Sequence, residues 1–197
     1  MIFLVLGCLI AGVLCGRLLP GMDEGTLSQG AQYVLYLLMF SVGISVGGNK
    51  QVFRRIREYH FRILVIPLGI ITASLASAPI CALLTGLPLR DSAAIVSGLG
   101  WYSLSGVMIA EYAGAEMGAL AFLANLAREF LSFLLIPFLA RHCNAYTAIA
   151  PAAATSEDTT LSFLIRYTSE EIVIMAVFNG VLCSAVVPVL IRLCYGL

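Results

Sequence analysis

The stretch Asn125-Leu-Ala-Arg128-Glu129-Phe-Leu-Ser132 places two opposite charges in the middle of a hydrophobic run over residues 115–140. On an α-helix its four polar side chains occupy positions i, i+3, i+4 and i+7, so they form one narrow polar stripe. A charge at the bilayer centre costs about 2.5–3.5 kcal/mol even on insertion-based scales, so such residues normally face protein or water. The stripe therefore predicts a carboxylate site for a cation or a proton. The alternative is a polar contact that only fixes helix packing.

The composition of the chain indicates whether it lies in water or in a lipid bilayer. Hydrophobic residues make up 60% of its 197 residues and charged residues 11%, whereas soluble domains carry about 25% charged residues. The chain is therefore predicted to be an integral membrane protein, with the lipid bilayer as its surroundings. Eleven basic residues balance eleven acidic ones, so the net charge gives no support for a nucleic-acid partner.

Six stretches are long enough to cross a bilayer, which needs about 20 largely apolar residues. They predict an all-α, polytopic fold that forms a single transmembrane domain over residues 1–197. The first stretch has no Lys or Arg before its apolar core, unlike a secretory signal peptide, so we expect a permanent helix. The stretches are about 1–20, 27–48, 61–86, 92–113, 115–140 and 171–195.

The strongly basic loop over residues 50–62 fixes the expected orientation. It contains Lys50, Arg54, Arg55, Arg57 and Arg62, and short basic loops stay in the cytoplasm. Counting back two crossings places the N-terminus in the cytoplasm as well.

The fourth stretch is interrupted near its beginning by Ser97-Gly-Leu-Gly-Trp-Tyr-Ser-Leu-Ser-Gly106. Each glycine costs about 1 kcal/mol against alanine in a helix, so this composition predicts an unwound or a tightly packed segment. Unwound segments of transporters expose backbone groups to substrate. The alternative is a packing face on which Trp101 and Tyr102 form an interfacial belt.

Residues 142–169 are too polar and too interrupted to span, and they predict a re-entrant loop that leads into a half-helix. The half-helix is expected to begin at the capping pattern Thr155-x-x-Asp158. Asp158 either complements the helix dipole at a surface or lies beside Glu129 at the site. The last stretch adds Asn179 among apolar residues.

Neither a metal site nor catalytic chemistry is predicted. The six cysteines form no CxxC pair, and no HExxH motif occurs in the sequence. We therefore expect a protein that is not an enzyme and that uses no cofactor.

Three segments together carry a resemblance to a known family: 98–107, 125–129 and 150–161, with the sequences GLGWYSLSGV, NLARE and APAAATSEDTTL. The chain resembles the LysO lysine exporter family of bacterial and archaeal membranes from its second stretch onward. The resemblance implies export of L-lysine and of toxic lysine analogues from the cytoplasm, driven by proton exchange. It also implies that two acids at membrane depth, Glu129 and Asp158, are essential. The third segment departs from the family pattern in having less glycine and in carrying Glu157 where a neutral residue is usual.

The resemblance also implies a partner. Full-length members similar to this chain carry further hydrophobic helices before the part that corresponds to Met1, so this chain looks like the second component of a split exporter. The expected partner is a small hydrophobic membrane subunit, or else a second copy of the chain. The alternatives are an accessory or scaffold subunit of a split transporter and an exporter of another cationic amino acid. The expected location is the bacterial inner membrane.

Lysine carries two ammonium groups and one carboxylate, so a site at membrane depth must balance a net cation. Glu129 is expected to pair with an ammonium group of lysine. The carboxylate of lysine is expected to be bound by Arg128, by the unwound backbone near Ser103 and Ser105, or by the half-helix N-terminus. An aromatic ring could add a cation–π contact. Buried carboxyl groups that are neutral when empty and charged when lysine arrives would exchange protons for lysine. The candidate substrate- or proton-binding residues are Glu129, Asp158, Arg128, Asn125, Trp101, Tyr102, Ser103, Ser105, Thr155 and Asn179.

Overall fold

The structure is a computed structural model that describes residues 2–18 and 64–196, together with the isolated positions 30, 33, 34, 37, 40 and 44. The basic loop at 50–62 and nearly all of the second predicted span therefore lie outside the described residues. The chain divides into two compact units, Met1–Leu37 and Leu38–Leu197.

The first unit contains helix α1, Ile2–Leu18, with Arg17 in its last turn. A helix is confirmed where the first span was predicted. Its 17 residues extend over about 26 Å at 1.5 Å per residue, slightly less than the roughly 30 Å of a hydrocarbon core.

The second unit is helical wherever it is described, apart from turns and short connections. Two 3₁₀ turns, Thr147–Ile149 and Ala153–Glu157, lie between the fourth and fifth of its helices. The helices are α2 (Val65–Thr85), α3 (Leu89–Val96), α4 (Tyr102–Ala113), α5 (Ala115–His142), α6 (Leu161–Tyr167) and α7 (Glu170–Cys194).

Three helices in the described part of the chain are long and apolar enough to cross a membrane, namely α2, α5 and α7. They coincide with the third, fifth and sixth predicted spans and fit a multi-pass membrane protein; that each of them crosses the bilayer stays a prediction. The fourth predicted span, 92–113, is not one helix, because a break at 97–101 separates α3 from α4. The eight residues of α3 and the twelve of α4 are each too short to cross alone. The interruption predicted at this point is confirmed.

Helices α4 and α5 pack closely because small residues line their contact. They are joined at Gly114, whose φ of +89° is accessible to glycine at little cost. A Cβ on Gly118 would lie 2.4 Å from the Cβ of Ala110 and 2.6 Å from the carbonyl oxygen of Gly106. This is the small-residue packing that membrane helices use in place of a hydrophobic driving force.

Residues 143–169 form the two 3₁₀ turns and α6, packed against α5 and α7 around a core that includes Ile136, Ile149, Leu164 and Phe178. The predicted capping pattern is wrong. Thr155 lies inside the second 3₁₀ turn, where its hydroxyl donates to the carbonyl of Ala152, and the helix begins only at Leu161. Whether this segment is re-entrant in a bilayer stays a prediction.

Candidate functional site

Two backbone breaks meet at the centre of the second unit. The first, at 97–101, contains Leu99 with φ +50° and Gly100 with φ +91°. The second, at 150–160, contains Ala153 with φ +48° at the start of the second 3₁₀ turn. The backbone N–H of Ala154 donates to the carbonyl of Leu99 at 3.1 Å, so the two breaks are directly hydrogen-bonded.

Asn125 holds the first break against α5. Its Oδ1 accepts from the backbone N–H of Gly100 at 2.8 Å, and its Nδ2 donates to the carbonyls of Ile95 and Ala121, both at 3.0 Å. A Cβ on Gly98 would lie 2.5 Å from that Nδ2, so only glycine leaves room for the amide. Asn125 was predicted to bind substrate or a proton, and the structure instead engages its amide with backbone groups.

Asn179 holds the second break against α7. Its Nδ2 donates to the carbonyl of Ala153 at 2.9 Å and to the hydroxyl of Ser156 at 3.1 Å, and its Oδ1 lies 3.8 Å from the Cys183 thiol. The residue is fully buried. Asn179, too, was predicted as a substrate- or proton-binding residue, and its amide is engaged inside the protein.

Glu129 is the group of the site that lacks a partner. Its side chain is 2% exposed, and neither carboxyl oxygen has a hydrogen-bond partner. Asp158 is close enough to interact with it electrostatically, and the nearby Thr159 hydroxyl donates at 3.2 Å to Asp158. A buried, unpartnered carboxylate is costly, so this site suits a cation or a proton.

Asp158 lies within electrostatic reach of Glu129; that the two acids share one site stays a prediction. The residue is exposed, and its carboxylate accepts hydrogen bonds from the backbone N–H and the hydroxyl of Thr159. Surrounding protein atoms still desolvate the carboxyl group enough to raise its pKa above the ordinary value of 3.8, although the bonds from Thr159 act in the opposite direction. The raised pKa favours proton uptake.

Tyr102 is the third member of this cluster. Its ring packs edge-on against Phe122 with centroids 5.2 Å apart, and its phenol is within electrostatic reach of both Glu129 and Asp158. The sequence predicted an aromatic ring for a cation–π contact, whereas the phenol hydroxyl is the group that lies near the two acids. Trp101 is half-buried at the end of the first break.

The remaining hydroxyl candidates are not gathered at the acids. Ser105 is fully buried and donates to the carbonyl of Tyr102 at 3.4 Å, within its own helix. Thr155 donates within its own turn, and Ser103 is half-buried. Sequence reasoning missed Thr159, although its position directly after Asp158 is the usual place for a hydroxyl that bonds a neighbouring carboxylate.

Arg128 points away from Glu129, because consecutive helical residues lie about 100° apart. Its Nη1 donates to the hydroxyl of Ser74 at 3.1 Å. Within residues 64–196, no carboxylate lies within 4 Å of the guanidinium. Arg128 lines a cavity of about 500 Å³. The lining residues are Val65, Ile66, Gly69, Ile70, Ala73, Ser74, Ser77, Arg128, Tyr146, Thr147 and Ala150.

Glu157 faces α7 and not the cluster. Its Oε1 accepts from the hydroxyl of Ser184 at 2.9 Å, and its backbone N would lie 2.6 Å from a Cβ on Gly180. Burial raises the pKa of Glu157 from 4.5 to about 7; the hydrogen bond from Ser184 lowers it and the charge of Asp158 raises it further. This carboxyl group therefore titrates near neutral pH.

Comparison with known proteins assigns the family. The family model described as lysine exporter LysO matches residues 6–195. A lysine exporter LysO from Escherichia coli is 34% identical over 186 residues, which are 90% of this chain and 62% of that protein. A putative lysine exporter from Haemophilus influenzae is 33% identical over 161 residues, covering 81% of this chain and 80% of that protein. No solved structure matches the chain. The chain spans about three fifths of the Escherichia coli relative's length, and it belongs to the lysine exporter LysO family.

Proposed function

We propose that this chain is a secondary transporter that exports L-lysine, and toxic lysine analogues, from the cytoplasm in exchange for protons. The observation that carries the proposal is the buried carboxylate of Glu129, both of whose oxygens lack a hydrogen-bond partner. The names of the two relatives, lysine exporter and putative lysine exporter, support the choice of lysine.

Glu129 and Asp158 bind one ammonium group of lysine. Together they carry the negative charge that a net cation needs, and an ammonium group has three N–H donors for their oxygens. The Tyr102 phenol lies near both acids and supplies a further oxygen. Binding thus satisfies the acceptors that the empty site leaves unpartnered.

Arg128 binds the α-carboxylate in the cavity next to α2. A guanidinium has five N–H donors in a fork that matches a carboxylate, and the hydrogen bond to Ser74 occupies one of them. The two charges of opposite sign on consecutive residues suit a substrate with opposite charges at its two ends. Ser74 holds the guanidinium in place.

Proton exchange follows from the same carboxyl groups. In the empty site the low-dielectric surroundings favour the neutral acids, and an arriving ammonium group favours the charged form. Each lysine that binds therefore displaces protons, so transport requires no separate relay. The membrane is the bacterial inner membrane, with the N-terminus and the basic loop at 50–62 on the cytoplasmic side.

Lysine counterflow in proteoliposomes tests the function, together with resistance of cells to a toxic lysine analogue. We expect Glu129→Gln and Asp158→Asn to abolish both, because each keeps the side-chain shape and removes the charge. Glu116→Gln is the matched control, since Glu116 is an exposed acid in the first turn of the same helix. Full activity of the Glu129 variant at normal expression would remove Glu129 from the site. Absence of lysine counterflow in the wild type, with its partner present, would reject lysine as the substrate.

A further inference from the structure

Two consecutive stretches of equal length, 89–142 and 143–196, have the same order of parts. Each has short helical pieces around a break, two in the first stretch and three in the second, and ends in a helix of membrane length. The first stretch contains α3, its break, α4 and α5. The second contains the two 3₁₀ turns, α6 and α7.

The breaks and the asparagines occupy matching positions when residue 89 of the first stretch is aligned with residue 143 of the second. Leu99 and Ala153 are the two non-glycine residues with positive φ in the described part of the chain. Asn125 follows Leu99, and Asn179 follows Ala153, by the same 26 residues. Left-handed residues and buried amides at one common spacing are what an internal repeat predicts, and many transporter folds are built from such repeats.

Each asparagine bonds the break of its own stretch. Asn125 bonds the backbone on both sides of Leu99, and Asn179 bonds Ala153 directly. The residue that follows the first break is Tyr102, and Asp158 follows the second 3₁₀ turn. The two asparagines thus fix the segments that bring Tyr102 and Asp158 towards Glu129.

We propose that Asn125 and Asn179 are a matched pair of positioning residues, one in each of two tandem repeats, that hold Tyr102 and Asp158 beside Glu129. They do so without contacting substrate, because their amides are engaged with the protein. The effect on lysine binding rests on the transport function proposed above. The effect of each asparagine on its own break does not depend on that function. The positioning role and the transport function can therefore be disproved separately.

Backbone hydrogen exchange of the purified protein with its partner, measured by mass spectrometry, tests the local effect. We expect Asn125→Ala to speed exchange in the peptide that contains 97–101, and Asn179→Ala in the peptide that contains 150–160, with little change in the other. The control is Asn144→Ala, because Asn144 is exposed and bonds only the start of its own turn. It should leave both peptides unchanged.

The transport readout is the lysine KM in proteoliposomes. Loss of one amide leaves buried backbone partners unsatisfied, so we expect KM to rise about tenfold in either variant, with a smaller change in the maximal rate. If an alanine variant does not fold, the aspartate variant, which keeps the acceptor oxygen, replaces it. Exchange that rises throughout the protein, or in the wrong break, would overturn the proposal, as would failure of both variants of one residue to fold. Local exchange changes without a KM effect would overturn the positioning role and leave the repeat intact.

Discussion

Arg128 and Glu129 are consecutive residues whose side chains lie on different sides of α5. Glu129 is buried towards Asp158, and Arg128 opens into the cavity next to α2. The sequence predicted a single polar stripe because it shows spacing along the helix but not the neighbours of each side chain. It could not show that Asn125, on the same stripe, would be engaged by the break before α4.

The proposed binding of the substrate carboxylate by Arg128 predicts a change in selectivity. Cadaverine is lysine without its carboxylate, so in the wild type it should compete with lysine only weakly. In Arg128→Gln the lysine KM should rise about tenfold or more, since a charged hydrogen bond is lost, while competition by cadaverine stays the same. Arg141→Gln, an exposed position on the same helix, is the control. Equal losses for lysine and cadaverine would contradict the assignment.

Glu157 predicts a dependence of stability on pH. Its pKa is raised from 4.5 to about 7, so the folded protein holds a proton that the unfolded chain releases. Its stabilising contribution is complete below pH 4.5 and is lost as the pH rises through 7. The unfolding temperature in detergent should therefore fall less steeply between pH 5 and 8 in Glu157→Gln than in the wild type. Identical slopes would show that Glu157 does not titrate in this range.

At the scale of elements, the first break was predicted because glycine and serine mark it in the sequence. The start of the helix after the second break was predicted at Thr155, which is wrong, and the left-handed conformation of Ala153 was not predicted, because no glycine marks it. An alanine with positive φ cannot be read from sequence, because only its surroundings impose that conformation.

The contact between α4 and α5 predicts a stability effect. In Gly118→Ala the new methyl group would meet the backbone of Gly106 and the side chain of Ala110. Such overpacking costs about 1–3 kcal/mol, so the thermal unfolding temperature in detergent should fall. Gly69→Ala on α2 is the matched control, because its added Cβ meets nothing within 4 Å. A Gly118 variant as stable as the control would show that the two helices separate freely.

At the scale of the molecule, composition was enough to identify a membrane protein, and length was enough to find α2, α5 and α7. Apolar content alone could not show that 92–113 is two short helices, because broken and continuous helices have similar composition. The cavity beside Arg128 could not be predicted either, since α2 and the segment after α5 reach it from distant parts of the sequence.

A partner subunit was predicted from the family resemblance, and the cavity beside Arg128 is a candidate surface for it. A guanidinium that faces lipid is costly, and in the described part of the chain the cavity beside Arg128 is open. We expect a small hydrophobic subunit to cover it, or else a second copy of the chain. Co-expression with candidate subunits, followed by lysine counterflow, tests this expectation. Robust counterflow from a monomeric, partner-free preparation would refute it.

Ala153 has a consequence for the order in which the protein is made. A non-glycine residue in the left-handed region costs about 1–2 kcal/mol, and here the bonds of Asn179 and of Leu99 to its segment offset that cost. The ribosome delivers Asn179 after residues 150–160, so until α7 has been inserted these residues have the bond to Leu99 but not the bonds of Asn179. The segment that carries Asp158 is then fully held only after α7 has been made. Nascent chains arrested before Asn179 should be cut between 150 and 160 by a protease that spares the released protein.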